Sequence, residues 1–424
     1  MLIQVNALSQ LGRRTAEPPI SWLMNEALQR PGLISLAAGF TDNPSLPVPE
    51  TRTIVAGLLR GAKGQPHLQY GTTPGDATLR QLTAARLAQL DNRSIQHPAY
   101  APERVLITHG SQQLLYILSE ILFDPDDLVL VEDPSYFVYL GIMQSHGIRG
   151  RGVRLENDGI DLRHLEQTLV QLQQAGELHR LKALYLVSYH SNPAGITTSA
   201  EKKAAALKLL RQFERAAGHP IYLIEDAAYR ELRFAGEDTA SALALDSRSD
   251  RVVYTSTFSK PFATGVRVGF GLLPEPLLTA ALRVKGNHDF GTANFLQQIL
   301  SQALADGTYE AQVAKLRRRY ARKARAMTRA CEAHFPDGVQ WENPTGGLYV
   351  WARLPAKMRS GLKSALFEAA LRHKVLYVPG NLCYCEDATR RKPNRELRLS
   401  YGNASLKEIE EGIARLGRAL KKVL

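Results

Sequence analysis

Residues 183–195 read Ala-Leu-Tyr-Leu-Val-Ser-Tyr-His-Ser-Asn-Pro-Ala-Gly, a continuous apolar run that ends at a turn rich in Ser, Asn, Pro and Gly. Runs that are apolar throughout, rather than at alternate positions, are typical of strands covered on both faces. Similar runs occur on either side of it, at residues 105–108, 128–132, 221–224, 252–255 and 268–272. Helical patterns lie between the runs, at residues 111–122, 161–174 and 199–217. This alternation predicts an α/β fold in which helices sandwich a mostly parallel sheet.

The composition is that of a folded globular protein. The 424 residues are 44% hydrophobic and 22% charged, close to the usual proportions. A chain of this length is expected to form about two or three structural units. It contains three cysteines, and the pair Cys383 and Cys385 does not have the spacing of a zinc site. We therefore expect ordinary thiols in a reducing compartment, with no disulfide framework and no metal site.

The pattern changes after about residue 306, where a long basic helical stretch precedes short strands and further helices. Strand-like segments lie at residues 347–352, 375–378 and 396–400, and helical patterns lie near 360–373 and after Ser405. These elements predict a smaller α+β C-terminal domain. We expect residues 51–306 to form the large domain, residues 307–424 the small one, and residues 1–50 an arm associated with the small domain.

The chain is basic, with 53 Lys and Arg against 41 Asp and Glu and a formal charge of +12. Its densest basic run, residues 316–325, has apolar or small residues at helical spacing, so a solvated helix face is expected. No zinc-finger or RNA-binding signature accompanies it, and we expect anionic small molecules rather than nucleic acid as partners. The first six residues are too short and polar for a secretory signal, and no stretch approaches the roughly 18 apolar residues of a membrane span. We therefore expect a cytoplasmic protein with no membrane segment.

Candidate site residues follow the apolar runs, because ligands of open α/β sheets bind beyond the carboxyl ends of the strands. Gly110 and Ser111 open a helix after the first run, where exposed amides bind anions, although Ser is also a common helix cap. Tyr136 follows the second run, either at a site or in a packed loop. Asn192 follows the third, and the next residue, a proline, holds it outside the α region; a turn-forming Asn is the alternative.

The next two strand ends carry charged groups. Asp226, with Tyr229 close behind it, directly follows a buried strand, where a carboxylate is costly unless it is paired; a helix cap is the alternative. Lys260 follows the next strand, either as an exposed turn lysine or in a partly desolvated site. A lysine in desolvated, cationic surroundings has a lowered pKa and becomes a nucleophile for carbonyl compounds. The neighbouring polar residues are Thr257, Ser259 and Arg267.

The combination of these groups indicates the function more specifically than any one of them. An anion site, an aromatic ring, an amide, a carboxylate, a phenol and a lysine all fall at one edge of one predicted sheet. Pyridoxal 5'-phosphate requires such a set: an imine-forming lysine, a carboxylate that keeps the pyridine nitrogen protonated, and a phosphate site. The sequence therefore predicts pyridoxal 5'-phosphate as the cofactor.

The sequence also resembles a known family, the class I/II aminotransferases of the pyridoxal-phosphate fold type I group. It is most similar to the branch that holds 2-aminoadipate, kynurenine and broad-range aromatic or branched-chain aminotransferases. The resemblance runs from about Ile34 to the C-terminus and rests on nine motifs in family order: ISLAAGF, YGTTPGDATLR, THGSQQ, EDPSYF, SNPAG, EDAAYREL, STFSKPFATGVRVGF, PTGGLYVW and ELRLSYG. It implies the fold type I architecture and an aminotransferase of amino acid metabolism.

The resemblance implies a role for each matching residue. Lys260, Asp226 and Tyr229 are the expected catalytic residues: Lys260 would hold the cofactor as an internal aldimine and shuttle a proton, and Asp226 would pair with the pyridinium nitrogen. The other implied cofactor contacts are Asn192 and Tyr229 at the ring hydroxyl, Tyr136 stacked on the ring, and Ser111, Gln112, Thr257, Ser259 and Arg267 at the phosphate.

The implied substrate contacts lie in other motifs. Arg398 would bind the substrate α-carboxylate through two parallel hydrogen bonds, which a lysine does not reproduce, with Asn192 and the backbone of Gly39 beside it. Tyr70 would reach the phosphate from the partner subunit of a homodimer. The implied reaction is a ping-pong transamination between an amino acid and a 2-oxo acid.

Two departures from the family pattern bear on the substrate and the lysine loop. Relatives that use aminoadipate tend to carry an arginine on the helix before ISLAAGF, whereas residues 21–28 here contain no basic residue. Arg13, Arg14 and Arg30 flank this helix, and each either contacts the substrate or points away from it. We expect an aromatic, branched-chain or other uncharged side chain on the donor, with 2-oxoglutarate as an acceptor. A proline also directly follows Lys260, which we expect to stiffen the lysine loop without changing its role.

Two other functions are weighed against this one. A pyridoxal-phosphate β-lyase would share the lysine and the carboxylate clamp, and dependence of turnover on an oxo acid separates the two reactions. A cofactor-sensing transcription regulator would carry an N-terminal DNA-binding domain. Because ISLAAGF already begins at Ile34, we expect no such domain here.

Overall fold

The computed structural model describes residues 7–424. Its helices are α1 (Gln10–Arg14), α2 (Pro19–Gln29), α3 (Val48–Leu58), α4 (Ala77–Leu90), α5 (Gly110–Leu122), α6 (Phe137–His146), α7 (Leu162–Gln174), α8 (Ala200–Ala217), α9 (Ala242–Leu245), α10 (Leu277–His288), α11 (Asn294–Ala305), α12 (Thr308–His334), α13 (Ala365–Arg372) and α14 (Leu406–Val423). Its strands are β1 (Ile34–Ser35), β2 (Val105–Thr108), β3 (Leu128–Asp133), β4 (Arg149–Glu156), β5 (Gly159–Ile160), β6 (Leu181–Val187), β7 (Tyr222–Asp226), β8 (Val252–Thr257), β9 (Gly269–Leu272), β10 (Gln340–Trp341), β11 (Tyr349–Arg353), β12 (Val375–Leu376), β13 (Val378–Pro379) and β14 (Glu396–Ser400).

Eight strands form the large sheet, in the order β2-β9-β8-β7-β6-β3-β4-β5. Neighbouring strands from β8 to β4 are parallel, whereas β9 runs antiparallel to β2 and β8, and β5 runs antiparallel to β4. The predicted mostly parallel sheet is therefore confirmed. The three helices predicted between the strands correspond to α5, α7 and α8, with ends that differ by one residue.

Packing on both faces of this sheet explains the continuous apolar runs. In β6, Leu184 and Leu186 belong to a core cluster that also holds buried leucines of α7 and α8. Their neighbours Ala183, Tyr185 and Val187 belong to a cluster on the other face, with α5 and α6. Because both faces are covered, every position of the strand is apolar and buried except the partly exposed Lys182 near its start.

A second, smaller sheet has the order β10-β11-β14-β13 and is antiparallel. It packs with α12, α13 and α14 around a separate core, which also takes in Leu23 and Leu36 from the N-terminal segment. Strand β1 of that segment pairs with β12. This confirms the predicted α+β unit at the C-terminal end. The residue boundaries of the domains stay a prediction, since α12 packs Val313 in the core of the large sheet and Leu316 in the second core.

The three cysteines are free and at most 3% exposed. Burial raises the pKa of Cys383 and of Cys385 to about 12. Within residues 7–424, no three His, Cys, Asp or Glu side chains are grouped so as to hold a metal ion. None of the helices in the described part of the chain is long and apolar enough to cross a membrane.

Candidate active site

A cleft opens where neighbouring strands of the large sheet end. Strands β3, β6, β7 and β8 are adjacent and parallel, so the segments that follow them meet at one edge of the sheet. The start of α5 completes the wall. The lining residues are Gly110, Ser111, Gln112, Tyr136, Val187, Asn192, Asp226, Ala228, Tyr229, Thr257, Ser259, Lys260 and Arg267. The structure thus brings together every predicted cofactor-contacting residue except Tyr70.

Lys260 projects into this cleft from the turn that follows β8. The turn is held by Thr257, whose Oγ1 accepts a hydrogen bond from the Ser259 amide and donates one to the carbonyl oxygen of Val268, each at 3.1 Å. The Lys260 Nζ atom donates to the carbonyl oxygen of Gly39 at 2.8 Å. Burial lowers the pKa of Lys260 to about 8, and the positive charges of Arg267 and Arg398 lower it as well. A substantial fraction of this amine is therefore neutral and nucleophilic near neutral pH.

Asp226 is the last residue of β7 and is 3% exposed. Its Oδ2 atom accepts a hydrogen bond from the Tyr185 hydroxyl at 3.0 Å, and its Oδ1 atom accepts one from the Ala228 amide at 3.1 Å. Burial raises the pKa of Asp226 to about 6, against the opposing effect of these two hydrogen bonds. The carboxylate is thus largely ionised at neutral pH and, within residues 7–424, forms no ion pair. A cationic nitrogen placed in the cleft is the partner that such a group requires.

The start of α5 forms an anion site. Gly110 has a φ of +72°, and a Cβ placed on it would lie 3.2 Å from Nη2 of Arg267. Gly269 lies under the same turn, since a Cβ there would be 2.5 Å from the backbone nitrogen of Ser111. The hydroxyl of Ser259 is buried and has no hydrogen-bond partner in the described part of the chain. Helix amides, a guanidinium group and a free hydroxyl donor suit a phosphate.

Arg398 is on β14 of the small sheet and is 1% exposed. Its Nη1 donates to Oδ1 of Asn192, and its Nη2 donates to the carbonyl oxygen of Ala37, each at 2.6 Å. The aromatic rings of Phe137 and Tyr349 flank the guanidinium, with centroids at 5.3 and 4.3 Å. Its Nε atom is buried without a partner among the described residues. Geometry of this kind suits a planar carboxylate that replaces the two protein acceptors.

For three tyrosines, the structure differs from what the sequence predicts about the site. Tyr70 is 84% exposed and packs its ring edge against Phe290 at 5.6 Å, away from the cleft of its own chain. Its predicted contact with the partner subunit stays a prediction. The sequence reasoning missed Tyr185, which supports Asp226, and Tyr349, whose hydroxyl is 3.0 Å from that of Tyr229. Both lie within apolar strands, where the sequence pattern indicates a tyrosine that packs in the core.

The residues of the cleft fit pyridoxal phosphate. The unpartnered Ser259 hydroxyl and the α5 amides match its phosphate, the buried Asp226 carboxylate matches a protonated ring nitrogen, and Lys260 supplies a neutral amine for its aldehyde.

Comparison with known proteins agrees with this reading. Residues 31–416 match the family model described as aminotransferase class I and II. The chain is 30% identical to aromatic-amino-acid aminotransferase 1 of Thermococcus litoralis, over 92% of this chain and 88% of that protein.

Two solved structures are also similar. Kynurenine aminotransferase of Pyrococcus horikoshii has a TM-score of 0.89 at 28% identity, covering 98% of this chain and 97% of that one. The α-aminoadipate aminotransferase LysN of Thermus thermophilus, complexed with N-(5'-phosphopyridoxyl)-L-leucine, has a TM-score of 0.83 at 30% identity, covering 98% of each chain. The chain therefore belongs to the class I and II aminotransferases, with the fold type I architecture that its sheet and cleft display.

Proposed function

We propose that this aminotransferase moves the α-amino group of an amino acid with an uncharged side chain to a 2-oxo acid such as 2-oxoglutarate, using pyridoxal 5'-phosphate bound at Lys260. The observation that carries the proposal is that one cleft holds both a lysine whose pKa is lowered to about 8 and the buried Asp226, whose carboxylate forms no ion pair within residues 7–424. The cofactor, when bound, supplies a conjugated ring that takes up electrons from the substrate α carbon.

The cleft residues hold the cofactor in one orientation. Asp226 would keep the ring nitrogen protonated, Asn192 and Tyr229 would donate to the ring oxygen, and Tyr136 would lie against the ring. The phosphate would be held by donors at the start of α5 and the lysine turn, namely Ser111, Gln112, Ser259 and Arg267. Thr257 would join them if its hydroxyl turned from the carbonyl oxygen of Val268 to the phosphate. Their placement around one cleft supports these roles.

Lys260 acts as the base and acid of the reaction. With the cofactor and a substrate bound, the neutral Nζ of Lys260 would be the group that accepts a proton from the substrate α carbon and returns it on the opposite side of the exchange. A pKa near 8 suits both directions of transfer, because neither protonation state is strongly favoured at neutral pH. Since the amino acid and the oxo acid use the same site in turn, the kinetics are ping-pong.

Arg398 binds the α-carboxylate of either substrate, with Asn192 and the Gly39 backbone beside it. In the absence of substrate it is held by Asn192 and Ala37, so it is already oriented before the carboxylate arrives. The donor's α carbon is thereby fixed within reach of Lys260, whose Nζ contacts Gly39.

The arginines near the helix before ISLAAGF lie away from the cleft. Arg30 directly follows α2 and forms an ion pair with Glu26 of that helix, at 2.8 Å. Arg14 lies against Gly147 at the end of α6, where a Cβ would be 2.7 Å from its Nη1 atom, and Arg13 is exposed. Among the described residues, none of these three arginines lines the cleft. Aromatic and branched-chain donors therefore fit better than aminoadipate.

We further propose that the protein works as a cytoplasmic homodimer and does not bind nucleic acid. The exposed Tyr70 and Phe290 pack together and form an aromatic surface, which supports contact with a second copy. The three buried, unpaired thiols support a reducing compartment.

The test is the visible absorption spectrum of the purified protein after loading with pyridoxal phosphate. We expect a yellow band that leucine or phenylalanine bleaches and 2-oxoglutarate restores, whereas aminoadipate bleaches it far more slowly. The Lys260→Met variant is the control and shows no such band.

Two results would contradict the proposal in different ways. A protein that stays colourless with pyridoxal phosphate overturns the cofactor assignment. Continuous turnover of an amino acid that carries a β leaving group, such as S-methylcysteine, to a thiol, pyruvate and ammonia, with return of the band in the absence of an oxo acid, indicates the β-lyase reaction instead.

A further inference from the structure

Tyr349 lies behind Tyr229, a residue of the cleft wall. Tyr349 is the first residue of β11 in the small sheet and is 2% exposed. Its hydroxyl is 3.0 Å from the hydroxyl of Tyr229, and the two rings meet edge to face with centroids 5.6 Å apart. A Cβ placed on Gly39 would lie 2.6 Å from the same hydroxyl. Tyr349 therefore contacts the cofactor-facing phenol, the segment that accepts from Lys260, and, through its ring, Arg398.

Two other buried tyrosines in this part of the chain donate hydrogen bonds to backbone carbonyl groups. Tyr377 donates to the carbonyl oxygen of Ser360 at 2.9 Å, and Tyr401 donates to the carbonyl oxygens of Gly346 and Gly347 at 3.0 Å. The Tyr349 hydroxyl instead bonds to another hydroxyl, so it satisfies no backbone group. A phenylalanine at this position would fill the same volume, which means that packing alone does not account for the oxygen atom.

The direction of this hydrogen bond follows from what each hydroxyl faces. Either oxygen is free to donate when the two are alone. Tyr229 lines the cleft, and once an acceptor oxygen of the cofactor is in front of it, its single proton goes to that acceptor. The Tyr229 oxygen is then left to accept, and within residues 7–424 Tyr349 is the side chain placed to donate to it.

We propose that Tyr349 is a positioning residue that aims the Tyr229 hydroxyl at the cofactor's ring oxygen and strengthens its donation. The inference rests on the proposed function, because it needs pyridoxal phosphate in the cleft. In a chain of two hydrogen bonds, the first bond polarises the second, and the low dielectric of a buried site increases the effect. Tyr349 comes from the small sheet and Tyr229 from the turn that follows β7 of the large sheet, so the pair also connects the two parts of the fold at the reacting centre.

The consequence is measurable in the loaded protein. A donor to the ring oxygen draws negative charge away from it, so this oxygen holds less tightly the proton that it shares with the nitrogen of Lys260. Tyr349 therefore keeps the apparent pKa of the visible band low. Replacing it by phenylalanine should raise that pKa by about 0.5–1 pH unit, a roughly three- to tenfold change in proton affinity, the range of one net hydrogen bond.

The experiment titrates the visible band of the pyridoxal-phosphate-loaded protein between pH 5 and 10 in five forms. These are the wild type, Tyr349→Phe, Tyr229→Phe, the double variant, and Tyr377→Phe as the matched control. We expect Tyr349→Phe to raise the apparent pKa and Tyr377→Phe to leave it unchanged. The double variant should move it no further than Tyr229→Phe alone, since Tyr349 acts through Tyr229. Thermal midpoints without cofactor show that each variant is folded.

The outcomes separate the inference from the function on which it rests. An unchanged pKa in Tyr349→Phe, or shifts that add in the double variant, would overturn the role of Tyr349 while the cofactor assignment stands. A wild type with no visible band would overturn both.

Discussion

At the scale of single residues, the reactive lysine lowers the stability of the cofactor-free fold. A buried ammonium group is disfavoured relative to water, and this cost appears as the fall of the Lys260 pKa from 10.5 to about 8. Because the unfolded chain binds this proton more tightly, the cost is complete below pH 8 and disappears as the pH rises toward 10.5. Stability of the cofactor-free protein should therefore rise over that window.

Replacing Lys260 by methionine should accordingly stabilise the cofactor-free protein at pH 7. We expect a gain of about 1–3 kcal/mol, since methionine keeps the apolar stem and removes the charge, with part of the gain offset by the lost bond to Gly39. Urea unfolding at pH 7 and pH 10.5 measures it, and the gain should shrink at the higher pH. Lys208→Met, at an exposed lysine, is the control. A variant that is less stable than the wild type at pH 7 contradicts this account.

The same lowered pKa predicts how fast the cofactor attaches. Only the neutral amine attacks the aldehyde, so the rate of attachment should rise about tenfold per unit between pH 6 and pH 7 and level off above about pH 8. Stopped-flow absorbance with excess pyridoxal phosphate measures the rate. A rate that continues to rise to pH 10 would show that Lys260 has the pKa of an exposed lysine.

At the scale of elements, the anion site depends on how closely β9 approaches α5. Gly269 on β9 leaves no room for a side chain, because a Cβ would be 2.5 Å from the carbonyl carbon of Gly110 and from the nitrogen of Ser111. Both neighbours are backbone atoms of the turn that presents amides to the phosphate. A single methyl group here must therefore displace the start of the helix rather than a flexible side chain.

We expect Gly269→Ala to weaken binding of pyridoxal phosphate at least about tenfold, because the helix amides and Arg267 are no longer in register with one phosphate. Equilibrium titration of the visible band measures the affinity. The control is Gly141→Ala on α6, where a Cβ meets nothing within 4 Å and alanine should stabilise the helix by about 0.5–1 kcal/mol. Unchanged affinity in Gly269→Ala would show that the helix start does not set the phosphate position.

At the scale of the whole molecule, the exposed aromatic pair of Tyr70 and Phe290 bears on how two chains combine. Tyr70 and Phe290 are 84% and 56% exposed, and the Thr73 hydroxyl fixes the backbone beneath them by donating to the Phe290 carbonyl oxygen at 2.7 Å. Large exposed aromatic side chains of this kind are enriched at interfaces. If the pair belongs to a dimer interface, Tyr70 completes the phosphate site of the other chain.

A mixed dimer tests this arrangement. One chain carries Tyr70→Phe and the other carries Lys260→Met, with different tags for purification of the mixed species. The only site with a lysine then lies in the Tyr70→Phe chain and borrows an intact Tyr70 from its partner. We expect this site to bind pyridoxal phosphate with wild-type affinity, and the Tyr70→Phe homodimer to bind more weakly. Equal affinity in the two species contradicts a contribution from the partner.

Much of the fold follows from the sequence, because buried parallel strands impose continuous apolar runs. Strand direction does not follow, since an apolar run such as β9 reads the same in either direction. Strand β4 was also missed, because it lies near the edge of the sheet and its arginines, such as Arg151 beside Glu177, are paired outside the core.

The sequence likewise predicts some residues of the site and not others. Polar residues at the ends of strands, such as Asp226, or just after them, such as Lys260, are visible in the sequence because a polar group at that place has few structural reasons to be there. Tyr185 and Tyr349 lie within strands, where their rings pack as core and only the three-dimensional structure shows what their hydroxyls face. Tyr70 needs a second chain, which one sequence does not describe.

The burial of all three native thiols makes this protein a convenient scaffold for fluorescent labelling. Cys331, Cys383 and Cys385 are at most 3% exposed, and burial raises the pKa of each, so maleimide dyes should leave them unmodified while the protein is folded. A single cysteine introduced at Leu28, which is 79% exposed on α2, would then be the sole labelled position without replacement of any native residue. A dye at that position would show whether the surroundings of α2 change when substrates are added.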